Sequence, residues 1–257
     1  MKANKNITFL GTGTSQGVPV IACNCSVCRS SNVKDKRLRT SILVSYNNMN
    51  LVIDTGPDFR QQMLRENVQH LEAILFTHEH KDHIAGMDDI RAFNFKSKKD
   101  MPVFATTQVQ VGLKREFHYV FSDFQYPGVP KVVLNTIDSH AFELFGKKIQ
   151  PIEVMHYKLP VLGFRIENFT YITDANYISP TELEKIKGTE ILVLNALRQE
   201  PHISHFTLKE ALELIKEIKP KKAYLTHISH LLGSHEEVSK TLPKNVELAY
   251  DGLSISC

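Results

Sequence analysis

The densest group of metal-binding side-chain types in this sequence lies at residues 77–83, which read Thr-His-Glu-His-Lys-Asp-His. His78, His80, Asp82 and His83 offer imidazole nitrogens and a carboxylate, ligands that suit Zn, Mn and other divalent first-row metals. Asp82 stands where the H-E-x-x-H motif of zinc proteases has its second histidine, so that motif is excluded. Because a loop that leaves a strand can turn its ligands in two directions, this segment predicts ligands for two metal ions.

Three further residues of the same chemical type, His156, Asp174 and His227, each follow directly on a short apolar run. One such residue at a strand end is more often an ordinary surface group than a ligand. In α/β sheets, however, functional clefts form beyond the carboxyl ends of strands, so a fold that aligns these ends would bring the side chains together. The predicted metal-binding residues of this centre are His78, His80, Asp82, His83, His156, Asp174 and His227.

Cysteines supply a second group of ligands. Cys23, Cys25 and Cys28 form a C-x-C-x-x-C pattern, and a closed structural zinc site needs a fourth ligand from elsewhere. His230 is the best candidate, because it lies three residues after His227 and one loop could serve both sites. The alternative is a set of three buried thiols without metal. The remaining cysteine, Cys257, is predicted to be a free thiol.

Composition excludes several other classes of protein. The chain has 257 residues, is 42% hydrophobic and carries 31 Lys+Arg against 28 Asp+Glu, so intrinsic disorder is excluded and no concentrated basic stripe marks a nucleic-acid binder. No apolar stretch is long enough to cross a membrane, and the N-terminus lacks the apolar region of a signal peptide. A cytoplasmic protein without membrane contact is therefore expected. The absence of linkers and repeats predicts a single domain over residues 1–257.

Short apolar runs rich in Ile, Val, Phe and Tyr recur along the whole chain and predict strands. Capping signals between them predict helices that begin after Ser179, Thr207 and Ser234. Strands interspersed with helices indicate an α/β protein with two sheets. The histidines expected to be ordinary surface residues are His70, His140 and His235.

With these residues in view, the sequence resembles the metallo-β-lactamase-fold hydrolases over essentially its whole length. The residues that carry the resemblance are Gly11-Thr12-Gly13, Asp54 in LVIDTG, the 77–83 segment, His156, Asp174 and His227. The resemblance implies a four-layer αβ/βα sandwich, in which two mixed β-sheets are flanked by helices. It also implies how the ligands divide: a first metal takes His78, His80 and His156, a second takes Asp82, His83 and His227, and Asp174 bridges both. Asp54 is implied to buttress the site without binding metal.

The cysteine pattern narrows this resemblance. C-x-C-x-x-C after an N-terminal G-T-G loop, with Thr-His-Ile-Ser-His at 226–230, is similar to the PhnP-like phosphodiesterases of the carbon-phosphorus lyase pathway. This implies a hydrolase with two divalent ions, Zn or Mn, one structural Zn, and a hydroxide that bridges the two active-site ions. Asp82 and His205 are then the catalytic residues, with His205 as an acid or a phosphate contact. His202, three residues earlier, is the competing assignment for that histidine.

The implied substrates are small phosphodiesters, cyclic phosphates or nucleotide-like molecules. An RNA-processing nuclease of the same superfamily is the first alternative, although the near-neutral charge balance makes nucleic acid the less favoured substrate. A carrier or tailoring protein like those of pyrroloquinoline-quinone biosynthesis is the second alternative. The complete ligand set argues against a binding module without catalysis, and the sequence leaves a homodimer open.

Overall fold

The structure is a computed structural model that describes residues 5–124 and 126–256, so Cys257 lies outside the described residues. Fifteen strands form two sheets. The strands are β1 (Asn6–Gly11), β2 (Ser41–Tyr46), β3 (Met49–Ile53), β4 (Ala73–Leu75), β5 (Met101–Ala105), β6 (Val132–Thr136), β7 (Phe142–Leu144), β8 (Lys147–His156), β9 (Leu159–Ile166), β10 (Phe169–Ile172), β11 (Tyr177–Ile178), β12 (Ile191–Asn195), β13 (Lys222–Thr226), β14 (Val246–Leu248) and β15 (Ser254–Ser256). The α-helices are α1 (Phe59–Arg65), α2 (Lys81–Ile84), α3 (Arg91–Ser97), α4 (Thr107–Glu116), α5 (Pro180–Ile186), α6 (Leu208–Ile218) and α7 (His235–Ser239).

Both sheets mix parallel and antiparallel pairs. The first has the order β15-β1-β2-β3-β4-β5-β6, and its strands are antiparallel from β15 to β3 and parallel from β3 to β6. The second has the order β11-β8-β9-β10-β12-β13-β14, with β7 paired to β8. Its strands are antiparallel as far as β10 and parallel beyond it. This confirms the two mixed sheets expected from the sequence.

Alternating side chains along the strands divide the apolar core into layers. On β2, for example, Ile42 and Val44 pack between the two sheets, whereas Leu43 packs on the outer face of the first sheet. Such alternation follows from the two-residue period of a strand. Side chains of α1 and α4 cover the outer face of the first sheet, and side chains of α5, α6 and α7 cover that of the second. The result is the predicted four-layer arrangement of helix, sheet, sheet and helix.

The three helix starts predicted from capping signals are confirmed. The Thr207 hydroxyl accepts the backbone N–H of Glu210, whose carboxylate in turn accepts the backbone N–H of Thr207, a complete capping box at α6. Ser179 caps α5 and Ser234 caps α7 in the same way through their hydroxyls. These caps satisfy backbone donors that the first turn of a helix leaves unpaired.

Strand direction brings the predicted ligands to one edge of the second sheet. β9 is antiparallel to both β8 and β10, so β8 and β10 run in the same direction, and β13 joins them through the parallel pairs with β12. Their carboxyl ends, which carry His156, Asp174 and His227, therefore lie along the same edge. The 77–83 segment reaches this edge from β4 of the first sheet, where the backbone N–H of Leu162 donates to the carbonyl of Thr77 across the two sheets.

The expectation that His235 is a surface residue is wrong. His235 is buried at the start of α7, and its backbone N–H donates to the carboxylate of Asp35 at 2.7 Å. Its Nδ1 lies 3.2 Å from Nη2 of the buried Arg37 and accepts that hydrogen bond. Burial, together with the charge of Arg37, lowers the pKa of His235 to about 4, so the neutral ring can act as acceptor. No local sequence pattern indicates this contact, because its partners lie far apart along the chain.

Within the described residues, no helix is both long and apolar enough to cross a membrane. The cytoplasmic location and the single-domain boundaries stay predictions.

The layered core makes a stability prediction. Phe164 on β9 is fully buried between the sheets, whereas Phe124 is 82% exposed. Replacing Phe164 by Ala removes a large side chain from close-packed surroundings and should destabilise the protein by about 3–5 kcal/mol. Phe124→Ala, the matched control, should change the free energy of unfolding by less than about 0.5 kcal/mol. Urea unfolding followed by circular dichroism measures both. Equal effects of the two substitutions would contradict the layer assignment.

Candidate metal centre

The 77–83 segment leaves β4 as a loop and becomes a short helix within the motif itself. His78 is buried and His80 is exposed directly before α2, while Asp82 and His83 lie in its first turns. The loop packs so tightly on its neighbour that a Cβ atom at Gly56 would lie 2.2 Å from the carbonyl oxygen of Asp82. Only glycine fits there, and this close approach holds the segment against the end of β3.

The structure brings all seven predicted ligands together, in two groups. Donor atoms of His78, His80 and His156 lie within 4.8 Å of one another, and so do those of a second group of four. The members of the second group are Asp82, His83, Asp174 and His227. Asp174 also lies within 4.8 Å of His156, which places it beside both groups. This is the division implied by the sequence resemblance; that each residue binds metal stays a prediction.

Three residues of the centre or its support have left-handed backbone conformations. Asp54, Asp174 and His227 have φ angles of 65°, 54° and 55°, in a region that few residues other than glycine adopt. Asp54 and His227 directly follow β3 and β13, and Asp174 follows β10 after one residue, so the backbone turns sharply as each strand ends. Such conformations cost free energy and persist where the surrounding structure enforces them. Here the turns are what aim the side chains of Asp174 and His227 across the ends of the sheets.

Hydrogen bonds from behind fix which ring nitrogen faces the centre. His83 Nδ1–H donates to Oδ2 of the buried Asp54 at 2.7 Å, and His156 Nδ1–H donates to the carbonyl of Ser204 at 2.9 Å. The Thr77 hydroxyl donates to Asp54 and therefore accepts from Nδ1–H of His78 at 3.0 Å. With Nδ1 protonated in each ring, Nε2 of the neutral imidazole keeps its lone pair for a metal ion.

Among the described residues, these buried nitrogens have no hydrogen-bond partner. Nε2 of His78, His83 and His227 are buried and make no hydrogen bond, although His83 and His227 lie 3.3 Å and 3.1 Å from oxygens of Asp174. Buried polar atoms are normally hydrogen-bonded, so unpaired nitrogens gathered around one point need an explanation. A divalent cation bound among the nitrogens and carboxylates supplies it, and the donor set of imidazoles and carboxylates fits Zn or Mn.

The electrostatics of the two groups differ. Burial lowers the pKa of His78, and lowers that of His156 to about 4, so both are neutral and ready to bind metal at physiological pH. Burial has the same tendency at His83 and His227, but the charges and hydrogen bonds of Asp174 and Asp82 together outweigh it, so the pKa of both rings is raised, that of His227 to about 9. The second group is therefore a buried site that strongly stabilises positive charge.

His205, and not His202, lies against the centre. His205 is buried, its Nε2 is 3.1 Å from Oδ2 of Asp174, and its ring stacks on that of His227 at 4.7 Å between centroids. His202 is half-buried behind it, with the two Nδ1 atoms 3.2 Å apart. The geometry therefore favours His205 for contact with a substrate bound at the centre.

The cysteines form a separate group with His230. Sγ atoms of Cys23, Cys25 and Cys28 lie 3.3, 3.3 and 3.5 Å from Nδ1 of His230, and all three cysteines are free thiols. The backbone N–H of Cys28 and the His230 ring lower the pKa of Cys25 to about 6, which favours the thiolate, whereas burial raises that of Cys28 to about 11. Three sulfur atoms and one imidazole around one point suit a tetrahedral zinc ion, as the sequence predicted.

Two residues that were not predicted from the sequence, Thr77 and Asn195, support the metal centre. Thr77 donates both its backbone N–H and its hydroxyl to Asp54. Asn195, at the end of β12, accepts the backbone N–H of Ala175 and donates to its carbonyl, which fixes the turn that carries Asp174. A polar residue ending an otherwise apolar strand run was the available clue for Asn195.

Comparisons with known proteins agree with the fold and with the geometry of the site. The family described as a beta-lactamase superfamily domain matches residues 49–228. A crystal structure described as a new diphosphatase from the PhnP family has a TM-score of 0.93 and 40% sequence identity, and the match covers 99% of this chain and 97% of that one. The similarity therefore extends over nearly the whole chain and is not confined to one sheet.

Two curated proteins are also similar in sequence. An octanoyltransferase from Porphyromonas gingivalis is 38% identical over 248 residues, which are 95% of this chain but 50% of that protein, so the chain spans about half the length of this relative. A ribonuclease Z from Anoxybacillus flavithermus is 24% identical over 315 residues, covering 97% of this chain and 96% of that protein.

The role of Asp54 in holding His83 can be tested by measuring the metal affinity of the protein. Asp54→Asn removes the charged acceptor behind His83 and should weaken metal binding by about 10- to 100-fold, as loss of such partners does elsewhere. Competition with a chromogenic chelator measures the affinity, and circular dichroism checks that the variant folds. Asp138→Asn, which changes an exposed carboxylate paired with His140, is the control and should bind as the wild type does. Unchanged affinity in a folded Asp54→Asn protein would contradict the assigned role.

The two metal sites can be separated by elemental analysis. Cys25→Ser should lose about one zinc per chain and keep the metals of the histidine centre, because four-ligand zinc sites depend on every thiolate. His80→Ala should show the reverse: loss from the histidine centre, with the cysteine zinc retained. If both substitutions remove the same metal, or if Cys25→Ser removes none, the cysteine group is not a zinc site.

Proposed function

This chain belongs to the PhnP family of metallo-β-lactamase-fold proteins, a superfamily of metal-dependent hydrolases, and we propose that it hydrolyses small phosphodiesters. One observation carries the proposal: His205 stands 3.1 Å from Asp174, the residue beside both ligand groups. A proton donor is thereby held next to the point where two cations would bind a phosphoryl group.

The residues divide the work between holding metal and orienting its ligands. His78, His80 and His156 would hold one ion, Asp82, His83 and His227 the other, and Asp174 would contact both. When bound, divalent ions supply Lewis acidity: they make water a stronger acid near neutral pH and neutralise charge that develops on phosphoryl oxygens. Asp54 and Thr77 hold the rings from behind.

His205 would protonate the leaving group. Breaking a phosphodiester bond leaves an alkoxide, which is a poor leaving group unless it is protonated as it departs. Nε2 of His205 points into the centre, and its ring is held between His156 and His227, with centroids 4.6 Å and 4.7 Å away. A ring placed in this way can give a proton to the departing oxygen while the attacking oxygen approaches phosphorus from the opposite side.

Small substrates are favoured over polymeric RNA. The formal charge of +3 on 257 residues leaves little of the electrostatic attraction on which nucleic-acid binding depends. The similar crystal structure is described as a diphosphatase, and cleavage of a diphosphate diester uses the same attack on phosphorus. Diphosphate-linked and cyclic phosphodiesters are therefore both proposed as substrates. Because the chain is also similar to ribonuclease Z, cleavage of precursor tRNA is the competing activity to be tested.

The proposal is tested with protein loaded with Mn or Zn. The wild type should hydrolyse bis(p-nitrophenyl) phosphate and at least one of a 2′,3′-cyclic nucleotide and a diphosphate-linked dinucleotide. His205→Ala should lower kcat on the cyclic or diphosphate-linked substrate by about 10²- to 10⁴-fold, the usual contribution of a positioned proton donor. Asp82→Ala should lose activity because it removes a ligand. The exposed His140 provides the control, His140→Ala, which should stay fully active.

Undiminished turnover by fully metal-loaded Asp82→Ala would contradict the proposed centre. Cleavage of precursor tRNA without turnover of any small diester would replace the proposed substrate class by RNA.

A further inference from the structure

The edge of the metal centre carries an exposed aromatic side chain that the proposed mechanism does not use. Tyr157 directly follows His156, one of the predicted ligands, in the turn between β8 and β9. Consecutive Cα atoms are about 3.8 Å apart, so the ring begins one residue away from the first ligand group. Tyr157 is 50% exposed, and its ring therefore stands in solvent beside the centre.

The backbone at Tyr157 is strained. Its φ angle is 58°, in the left-handed region that bulky residues rarely adopt and that costs glycine nothing. Gly, Asn and Asp are the residues that suit such a turn position. A tyrosine there bears a free-energy cost, and residues kept in strained conformations at the edge of a site point to a function. A ligand-binding role for the ring would account for that cost.

Hydrogen bonds tie Tyr157 to the loop that precedes His205. The side-chain carbonyl of Asn176 accepts the backbone N–H of Tyr157 at 2.7 Å, and its amide donates to the carbonyl of Ile203 at 3.2 Å. Ile203 is also exposed. An aromatic ring and an aliphatic side chain, both open to solvent, are therefore held on one rim next to the proposed proton donor.

Lys158 accounts for one face of the Tyr157 ring. Its Nζ lies over the ring, 5.3 Å from the centroid, within the range of a cation–π interaction. The exposed part of the residue remains open to a ligand. A flat aromatic group can stack on this open part of the ring, and the ammonium group close by favours a ligand that also carries negative charge.

We propose that Tyr157 is a specificity-determining residue, on which the base of a nucleotide substrate stacks while its phosphodiester lies at the metal centre. The inference rests on the proposed function, in which the reacting phosphate is bound beside His156 and thereby fixes where the rest of the substrate can reach. Among the proposed small diesters, cyclic nucleotides and diphosphate-linked dinucleotides carry a flat group. Every nucleobase has a π-face, so stacking on tyrosine selects nucleotides without selecting one base.

Monophosphates test the proposal without turnover, because they contain no diester to cleave. Titration calorimetry with Mn-loaded protein compares adenosine 5′-monophosphate with ribose 5-phosphate, which has the same sugar and phosphate but no base. The wild type should bind the nucleotide about 10- to 100-fold more tightly, the usual contribution of one stacked base. In Tyr157→Ala the two ligands should bind about equally, and the affinity for ribose 5-phosphate should match that of the wild type.

Two further variants separate stacking from other effects. Tyr157→Phe keeps the ring without the hydroxyl and should bind the nucleotide as the wild type does. Tyr126→Ala is the matched control, because Tyr126 is 73% exposed and lies two residues from Gly128, beside Phe95 of α3. It should bind both ligands with wild-type affinity. Circular dichroism checks that each variant folds.

Fluorescence reports the stacking itself. The chain has no Trp, so the emission of 2-aminopurine ribonucleoside 5′-monophosphate can be followed against little emission from the protein. Stacking on an aromatic ring quenches this base. The wild type and Tyr157→Phe should therefore quench it on binding, whereas saturating Tyr157→Ala should leave it bright.

Kinetics show whether the ring acts in binding or in bond breaking. Tyr157→Ala should raise KM for a 2′,3′-cyclic nucleotide by about 10- to 100-fold with little change in kcat. The physical reason is that a stacked base makes the same contact in the ground state and in the transition state.

Equal affinity of the wild type for the nucleotide and for ribose 5-phosphate would overturn the proposal. So would an equal loss of both ligands in Tyr157→Ala, or a Tyr157→Phe variant that binds the nucleotide as weakly as Tyr157→Ala. Failure of the proposed function looks different, because the wild type then turns over no small diester, while the comparison of the two monophosphates still decides whether Tyr157 binds a base.

Discussion

Asp54 is the buried charge on which the rest of this structure depends. Its side chain is fully buried, and burial alone raises the pKa of such a carboxyl. Three hydrogen bonds to the carboxylate compensate for its burial. They come from the backbone N–H of Thr77, the hydroxyl of Thr77 and Nδ1–H of His83, with donor–acceptor distances of 2.7–2.8 Å. Because these bonds have to be made together, the end of β3, the loop after β4 and the ring of His83 can take only one arrangement.

Charged side chains connect the arrangement around Asp54 to the second sheet. Asp174 and Asp82 are carboxylates placed opposite His83 and His227, so positive charge among them is stabilised. Because β10 and β13 run in the same direction, they end at the same edge of the sheet and place Asp174 and His227 side by side. The left-handed turns at both residues are the local cost of pointing the side chains across that edge.

One short segment connects the two candidate metal sites. His227 faces the histidine centre and His230 faces the cysteines. Between them, Ile228 exchanges backbone hydrogen bonds with the loop of Thr12 and Thr14: its N–H donates to the carbonyl of Thr12, and its carbonyl accepts the N–H of Thr14. A zinc ion bound at the cysteines would therefore also restrain the backbone that presents His227 to the histidine centre.

The sequence by itself determined the candidate ligand types, the strands that carry them and the caps of α5, α6 and α7, because these are recorded in local patterns of polarity and spacing. The four-layer fold was implied by the resemblance to a known family and not by those patterns. No sequence signal marked α1, whose N-cap residue Asp58 makes no capping hydrogen bond. Only the tertiary structure decided that His235 is buried against Arg37, that Asn195 fixes the Asp174 turn, and that His205 rather than His202 meets the centre. Hydrogen bonds between residues distant in the chain settle these questions, and single-sequence patterns carry no information about which distant donor will meet which acceptor.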